Sequence, residues 1–154
     1  NADDIVDLQD DLAAHKADLT SYAEFGLSAM QSIPSGTTYT DIVLNTSRKM
    51  KSYCILENGS IKITESGTYQ IICNVPINDG KTGERRLNLV LNGITNVAGD
   101  YKTPQVFRTI LQINKFIDAN IGDTLKIQIY QNSGESLDVS HFSELMFVQV
   151  KKVG

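Results

Sequence analysis

The sequence predicts an all-β fold, a β-sandwich or jelly roll led by an N-terminal α-helix. Three observations predict it. From Gly67 to Ile77 the chain alternates with period two, putting Tyr69, Ile71, Cys73, Val75 and Ile77 on one face. Thr68, Gln70 and Asn74 take the other face, with Ile72 the apolar exception. Turn signals such as Asn58-Gly59, Asn92-Gly93, Gly122-Asp123 and Ser133-Gly134 then cut the chain into short antiparallel runs. Before them, Ile5 to Phe25 contains neither glycine nor proline. Ile5, Leu8, Leu12, His15, Leu19 and Tyr22 recur there in steps of three and four, a heptad seam.

The helix comes first. Asp3 and Asp4 favour its start, and so thin a stripe is marginal alone in water. It needs a partner, and the expectation is a coiled-coil stalk formed with its own copies over residues 1–26; a single helix packed on its own domain is the alternative. His15 falls at a d position and reads as a polar register device, with an ion or water on the axis as the alternative. Residues 27–36, with Pro34-Ser35-Gly36, read as a linker, and 37–154 as the head domain.

Within the head, Thr38–Leu44 is expected as a strand with Ile42 and Leu44 facing in, and Tyr53–Leu56 as a short second one. After the Gly59–Ile77 hairpin, Arg86–Leu91 places Leu87, Leu89 and Leu91 together. Thr95–Gln105 reads as a polar loop, and Val106–Phe116 as a long strand whose face bearing Ile110 is mixed in polarity. Thr124–Gln131 turns Leu125, Ile127 and Ile129 inward; Leu137 and Val139 suit a short strand. Ser143–Lys151 is apolar on both faces, so one face is expected in the core and the other against a neighbouring subunit. Ile110, Met146, Val148 and Val150 are the expected interface between heads.

Charge and chemistry narrow the function. The formal net charge is −4, and seven carboxylates in the first thirty residues (Asp3, Asp4, Asp7, Asp10, Asp11, Asp18, Glu24) stand against Lys16 alone. No basic stripe invites nucleic acid, and no apolar run is long enough for membrane insertion. Arg48, Lys49 and Lys51 read as a solvated basic cluster, and His141 as a surface histidine. Cys73 reads as a buried free thiol, with a Cys54–Cys73 disulfide as the alternative. No nucleophile elbow or paired metal-ligand spacing is present, so no enzyme activity, cofactor or metal is expected.

An ordered set of phrases carries a resemblance: Ile33-Pro34-Ser35-Gly36-Thr37, Gly59-Ser60-Ile61, Glu65-Ser66-Gly67-Thr68-Tyr69, Leu91-Asn92-Gly93, Ile121-Gly122-Asp123, Gln131-Asn132-Ser133-Gly134 and the strand from Ser143 to Val150. Over roughly residues 33–152 the chain resembles the C1q/TNF-like jelly roll of phage tail proteins and spore-surface glycoproteins. The phrase Leu12 to Leu19 resembles stalk sequence in tail and baseplate proteins of phages of Gram-positive hosts. The resemblance implies a homotrimer, with a trimeric coiled-coil stalk, and a host-receptor-binding head in a virion, with other tail or baseplate proteins as partners. It implies a host cell-wall polysaccharide or teichoic acid as ligand. A purely structural trimerisation module, or a bacterial surface or spore-coat protein, is the alternative. Tyr101, Arg108 and Tyr130 are the candidate ligand-binding residues, and the loops near Gly80, Gly99 and Gly134 the candidate contact regions.

Overall fold

The computed structural model describes Gln9 and residues 21–154. The expected helix and its seam residues Ile5, Leu8, Leu12, His15 and Leu19 lie outside them. The described chain is built from strands: β1 (Ala23–Gly26), β2 (Gln31–Ile33), β3 (Thr40–Ile42), β4 (Thr46–Lys49), β5 (Cys54–Glu57), β6 (Ser60–Ile63), β7 (Gly67–Asn78), β8 (Arg85–Leu91), β9 (Thr95–Lys102), β10 (Arg108–Ala119), β11 (Thr124–Gln131), β12 (Leu137–Val139) and β13 (Phe147–Lys152).

They form two sheets. The first runs β2-β12-β7-β13-β1-β4, with β10 on β7's other side, antiparallel from Arg108↔Asn78 to Ala119↔Gly67. The second runs β5-β6-β11-β8-β9, with β3 also pairing β11. The inward sets of both sheets interdigitate in one core. Tyr69, Ile71, Cys73, Val75 and Ile77 of β7 meet Leu87, Leu89, Leu125, Ile127 and Ile129 of the second sheet there. The alternation in the sequence is the cause: period two puts every second side chain on the dry face. Asn58 and Gly59, and again Asn92 and Gly93, all have positive φ (52°, 79°, 54° and 70°), the mirror-image turn that matches strand twist.

Several expectations change. Residues 23–26 are not the end of a stalk: Ala23, Phe25 and Leu27 are buried, and β1 pairs with β13 and β4. Tyr22 leads into that strand, its hydroxyl accepting from Lys49 Nζ at 3.0 Å. The expected linker contains β2, paired with β12. The expected loop Thr95–Gln105 is mostly strand β9, paired with β8. Val106 and Phe107 precede β10 and are exposed. The last strand starts only at Phe147, because Leu145 and Met146 donate back to the Phe142 carbonyl in a turn.

Arg48 is not a solvated cation. It occupies the space that a side chain at Gly26 would fill, and donates to the carbonyls of Met146 and His141. His141 is half-buried, its ring stacked on Phe142 at 5.0 Å. Cys54 and Cys73 are both free and buried, and burial pushes each thiol up to about 12.

The end of the sandwich away from β1's start is tied by one ionic knot. Asp79 accepts from Arg85 Nε (2.9 Å) and Nη2 (2.7 Å) and from Thr109 Oγ1 (2.5 Å). It also accepts from the backbone N–H groups of Gly80 and Lys81. Both partners of the ion pair are sealed from solvent. Burial opposes the Asp79 charge, but these hydrogen bonds outweigh it and hold the carboxyl below its usual range. The knot fixes where β7 ends and where β8 and β10 begin, and so anchors the loops at that end.

Candidate functional site: an aromatic row on the outer face of the second sheet

The second sheet turns its alternate residues to solvent, and strand register decides which of them meet. Tyr130 of β11 pairs with Arg86 of β8, and Arg86 pairs with Tyr101 of β9. Tyr39, immediately before β3, completes a row across four strands: its ring lies 5.6 Å from that of Tyr130, tilted 44°. The Arg86 guanidinium sits 5.3 Å from the Tyr130 ring centre and 5.5 Å from that of Tyr101. Arg86 Nε and Nη2 both donate to Glu84 Oε2, at 3.1 and 2.7 Å. The bonds that Arg86 donates to Glu84, and after them one with Tyr39, favour its charged form and raise its pKa.

A second row runs alongside: Asp41, Gln128, Asn88 and Gly99, paired in that order across β3, β11, β8 and β9. Gln128 Nε2 donates to Asp41 at 2.8 Å, and Lys126 Nζ lies 3.2 Å from the same carboxylate. Gly99 leaves the end of this row without a side chain. The result is an open groove of about 290 Å³ lined by Tyr39, Arg86, Asn88, Gly99, Asp100 and Tyr101. Tyr101 is 55 % exposed along its rim. Aromatic faces beside fixed amide and carboxylate groups can stack a flat apolar ring face and bond polar groups at its edge.

Of the residues expected to bind ligand, the fold brings Tyr101 and Tyr130 together across Arg86. It does not add Arg108, which lies on the first sheet opposite Asn78. Gly99 belongs to the groove, while Gly80 and Gly134 lie at the end where Lys81 reaches Glu135 (3.0 Å) and Gly134 N–H meets Ser35. Arg86 and Tyr39 were not among the expected residues. The register of β9 was the missing signal, since a strand read as a loop has no partners.

The expected head interface is also redistributed. Met146, Val148 and Val150 are buried inside the protomer, at 0 %, 1 % and 0 % exposure, so they contribute to its core and present no face to a neighbour. Their strand partners explain this: Val148 pairs with Cys73 and Val150 with Ile71, both inward residues. Ile110 does point away from the core, half-buried, as do Ile72 and Phe147; Phe116 is more exposed still. The outer face of the first sheet is therefore the mixed apolar and polar one.

No family model and no curated protein matches the sequence. Among solved structures, Eiger TNF from S. frugiperda aligns with a TM-score of 0.64 at 11% identity, covering 86% of this chain and 92% of that one. Murine APRIL at pH 8.5 aligns equally well, with 0.64 at 10% identity, 86% of this chain and 99% of that one. The fold is the TNF-like jelly roll. At such identity the likeness reaches the backbone only: the jelly roll supplies two sheet faces and two ends, and the residues on them are this chain's own.

Proposed function

We propose that this chain is the trimeric host-binding head of a phage tail or baseplate, recognising a glycan of the host cell wall through the outer face of its second sheet. The observation that carries the reading is the open row Tyr39–Tyr130–Arg86–Tyr101 beside Asn88 and Gly99. Tyrosine offers large, rigid contact area with little entropy to lose, and the C–H face of a pyranose stacks on such rings. One groove this shallow binds weakly. Three copies on one particle subunit, repeated around a baseplate, gain strength through effective concentration.

Assembly into trimers uses the other sheet. Ile72, Ile110, Phe116 and Phe147 give its outer face an apolar content that a second copy can cover, with Gln70, Gln112 and Asn114 supplying polar contacts around them. The division of labour is physical: one face buried between copies, the other left for ligand. Placement in a virion rests on the likeness of Leu12 to Leu19 to stalk sequence in phage tails, and other tail or baseplate proteins are the partners it implies.

The test is direct. Fluorescently labelled intact chain is incubated with a panel of Gram-positive cells and competed with soluble wall glycan from the cells that it decorates. Decoration that soluble glycan displaces supports the reading. A trimer that decorates no cell in the panel would instead favour a purely structural module.

A further inference from the structure

The glycan reading leaves two wall chemistries open, an uncharged polysaccharide and a phosphate-bearing teichoic acid. Resting on that reading, we propose that the groove takes an uncharged, pyranose-containing chain and discriminates against anionic polymers. The reason is that the groove's charges are already spoken for. Among side chains, the strong phosphate binders are a guanidinium fork and an uncompensated ammonium. Arg86, the cation lining the groove, commits Nε and Nη2 to Glu84 and lies 5.5 Å and 5.3 Å from the ring centres of Tyr101 and Tyr130. A phosphate taking the Nε–Nη2 edge displaces Glu84, whose carboxylate then stands unpaired beside it.

The carboxylates nearby are committed too. Asp100 accepts from the Tyr101 and Gln112 N–H groups (2.9 and 2.8 Å) and lies 3.7 Å from Lys102 Nζ. Asp41 holds Gln128 and Lys126. Arg86, Lys102 and Lys126 are thus matched one for one by Glu84, Asp100 and Asp41, and the groove presents no net field to attract a polyanion. What remains open is the exposed ring of Tyr101 and the carboxamide of Asn88, which suit the apolar face and the hydroxyls of a neutral sugar.

The experiment uses the intact chain and isolated Gram-positive walls. Bound chain is competed with two soluble fractions from the same walls, separated by anion exchange: neutral polysaccharide and teichoic acid. The neutral fraction is expected to compete, and binding to change less than about twofold between about 0.05 and 0.5 M salt, since screening removes exposed ionic attraction. Glu84→Gln, which releases the Arg86 fork, is expected to gain affinity for the teichoic acid fraction. Competition by teichoic acid alone, with binding that collapses in salt, overturns the inference and leaves the glycan reading standing. Absence of binding to every wall overturns the reading, and the inference with it. Binding indifferent to Tyr101→Ala and Tyr130→Ala places the site elsewhere and overturns both.

Discussion

Tyr69 has no solvent exposure; its ring packs 5.5 Å from that of Tyr53, and its hydroxyl donates to the Glu65 carbonyl. Tyr69→Ala is expected to cost about 3–5 kcal/mol in urea denaturation, the range for large aromatic truncations. Tyr69→Phe, which keeps the ring and loses one hydrogen bond, is expected to cost about 1 kcal/mol. The glycine two residues earlier has a different role from the one its neighbours suggest. The phrase Glu65-Ser66-Gly67 resembles a turn that needs glycine's freedom, yet Gly67 is not among the positive-φ glycines. A Cβ at that position would collide with the Gly154 carbonyl oxygen, so what matters is close approach by the end of the chain. No local pattern reveals a contact with a residue so distant in sequence.

Asp79 gives a pH dependence whose sign is fixed by its surroundings. Its folded pKa lies below the unfolded value near 3.8, so the ionised form is favoured in the fold. The stabilisation is present above about 3.8 and is lost as pH falls through the lower folded value. Asp79→Asn leaves Arg85 sealed in without a counter-charge. It is expected to cost about 3–5 kcal/mol at neutral pH, as broken buried pairs do. The gap between wild type and variant should narrow below pH 3.8, read by denaturant midpoints across the acid range.

At the scale of elements, legibility tracked periodicity. β7 and β11 were readable because their inward sets are unbroken, and Leu125, Ile127 and Ile129 are buried as the alternation requires. β9 was not, because TNVAGDYK contains Asn, Gly and Asp and lies on an edge, where strands lack a buried face to impose alternation. Its register was hidden as well. A two-residue turn at Asn92-Gly93 would set Tyr101 opposite Glu84. The observed ladder starts at Leu91↔Thr95 and shifts again between Leu89 and Val90, so Tyr101 comes to Arg86. Half of the candidate site depends on that shift.

The edge strand is held to the other sheet by its own side chains. Asp100 accepts from Gln112 N–H, and Lys102 Nζ donates to the Ile110 carbonyl at 2.7 Å, which closes the sandwich between β9 and β10. Asp100→Ala should speed hydrogen exchange of the Gln112 amide by about tenfold or more, the loss expected for a charge-assisted bond. The Ile127 amide, deep in the second sheet, should change far less. Equal acceleration at both would show that the bond is only one part of a global loosening.

At the scale of the whole molecule, the two sheets carry different surfaces. The sequence showed an apolar excess on both faces of its last strand, but not which face belonged to the core. Val148 and Val150 went inward because β13 sets them opposite Cys73 and Ile71, inward residues of β7, and Met146 is buried in the turn that precedes the strand. Phe147 was left on the outer face with Ile72 and Ile110, which moves the proposed contact between copies without removing it. Sedimentation equilibrium should therefore give about three times 17.0 kDa for the intact chain. Ile72→Glu paired with Ile110→Glu should lower that mass while leaving the urea midpoint of the protomer within about 1 kcal/mol, as surface changes do.

The proposed recognition of wall glycan by the tyrosine row is measured by depletion of the chain from solution onto isolated walls. Chain remaining in solution is quantified for wild type and for Tyr101→Ala combined with Tyr130→Ala, with sedimentation confirming that both keep the same assembly. Wild type is expected to be depleted and the variant's affinity to fall by at least about tenfold, since central aromatic contacts carry more than about 1 kcal/mol each. Equal depletion of the two proteins would contradict the proposed recognition.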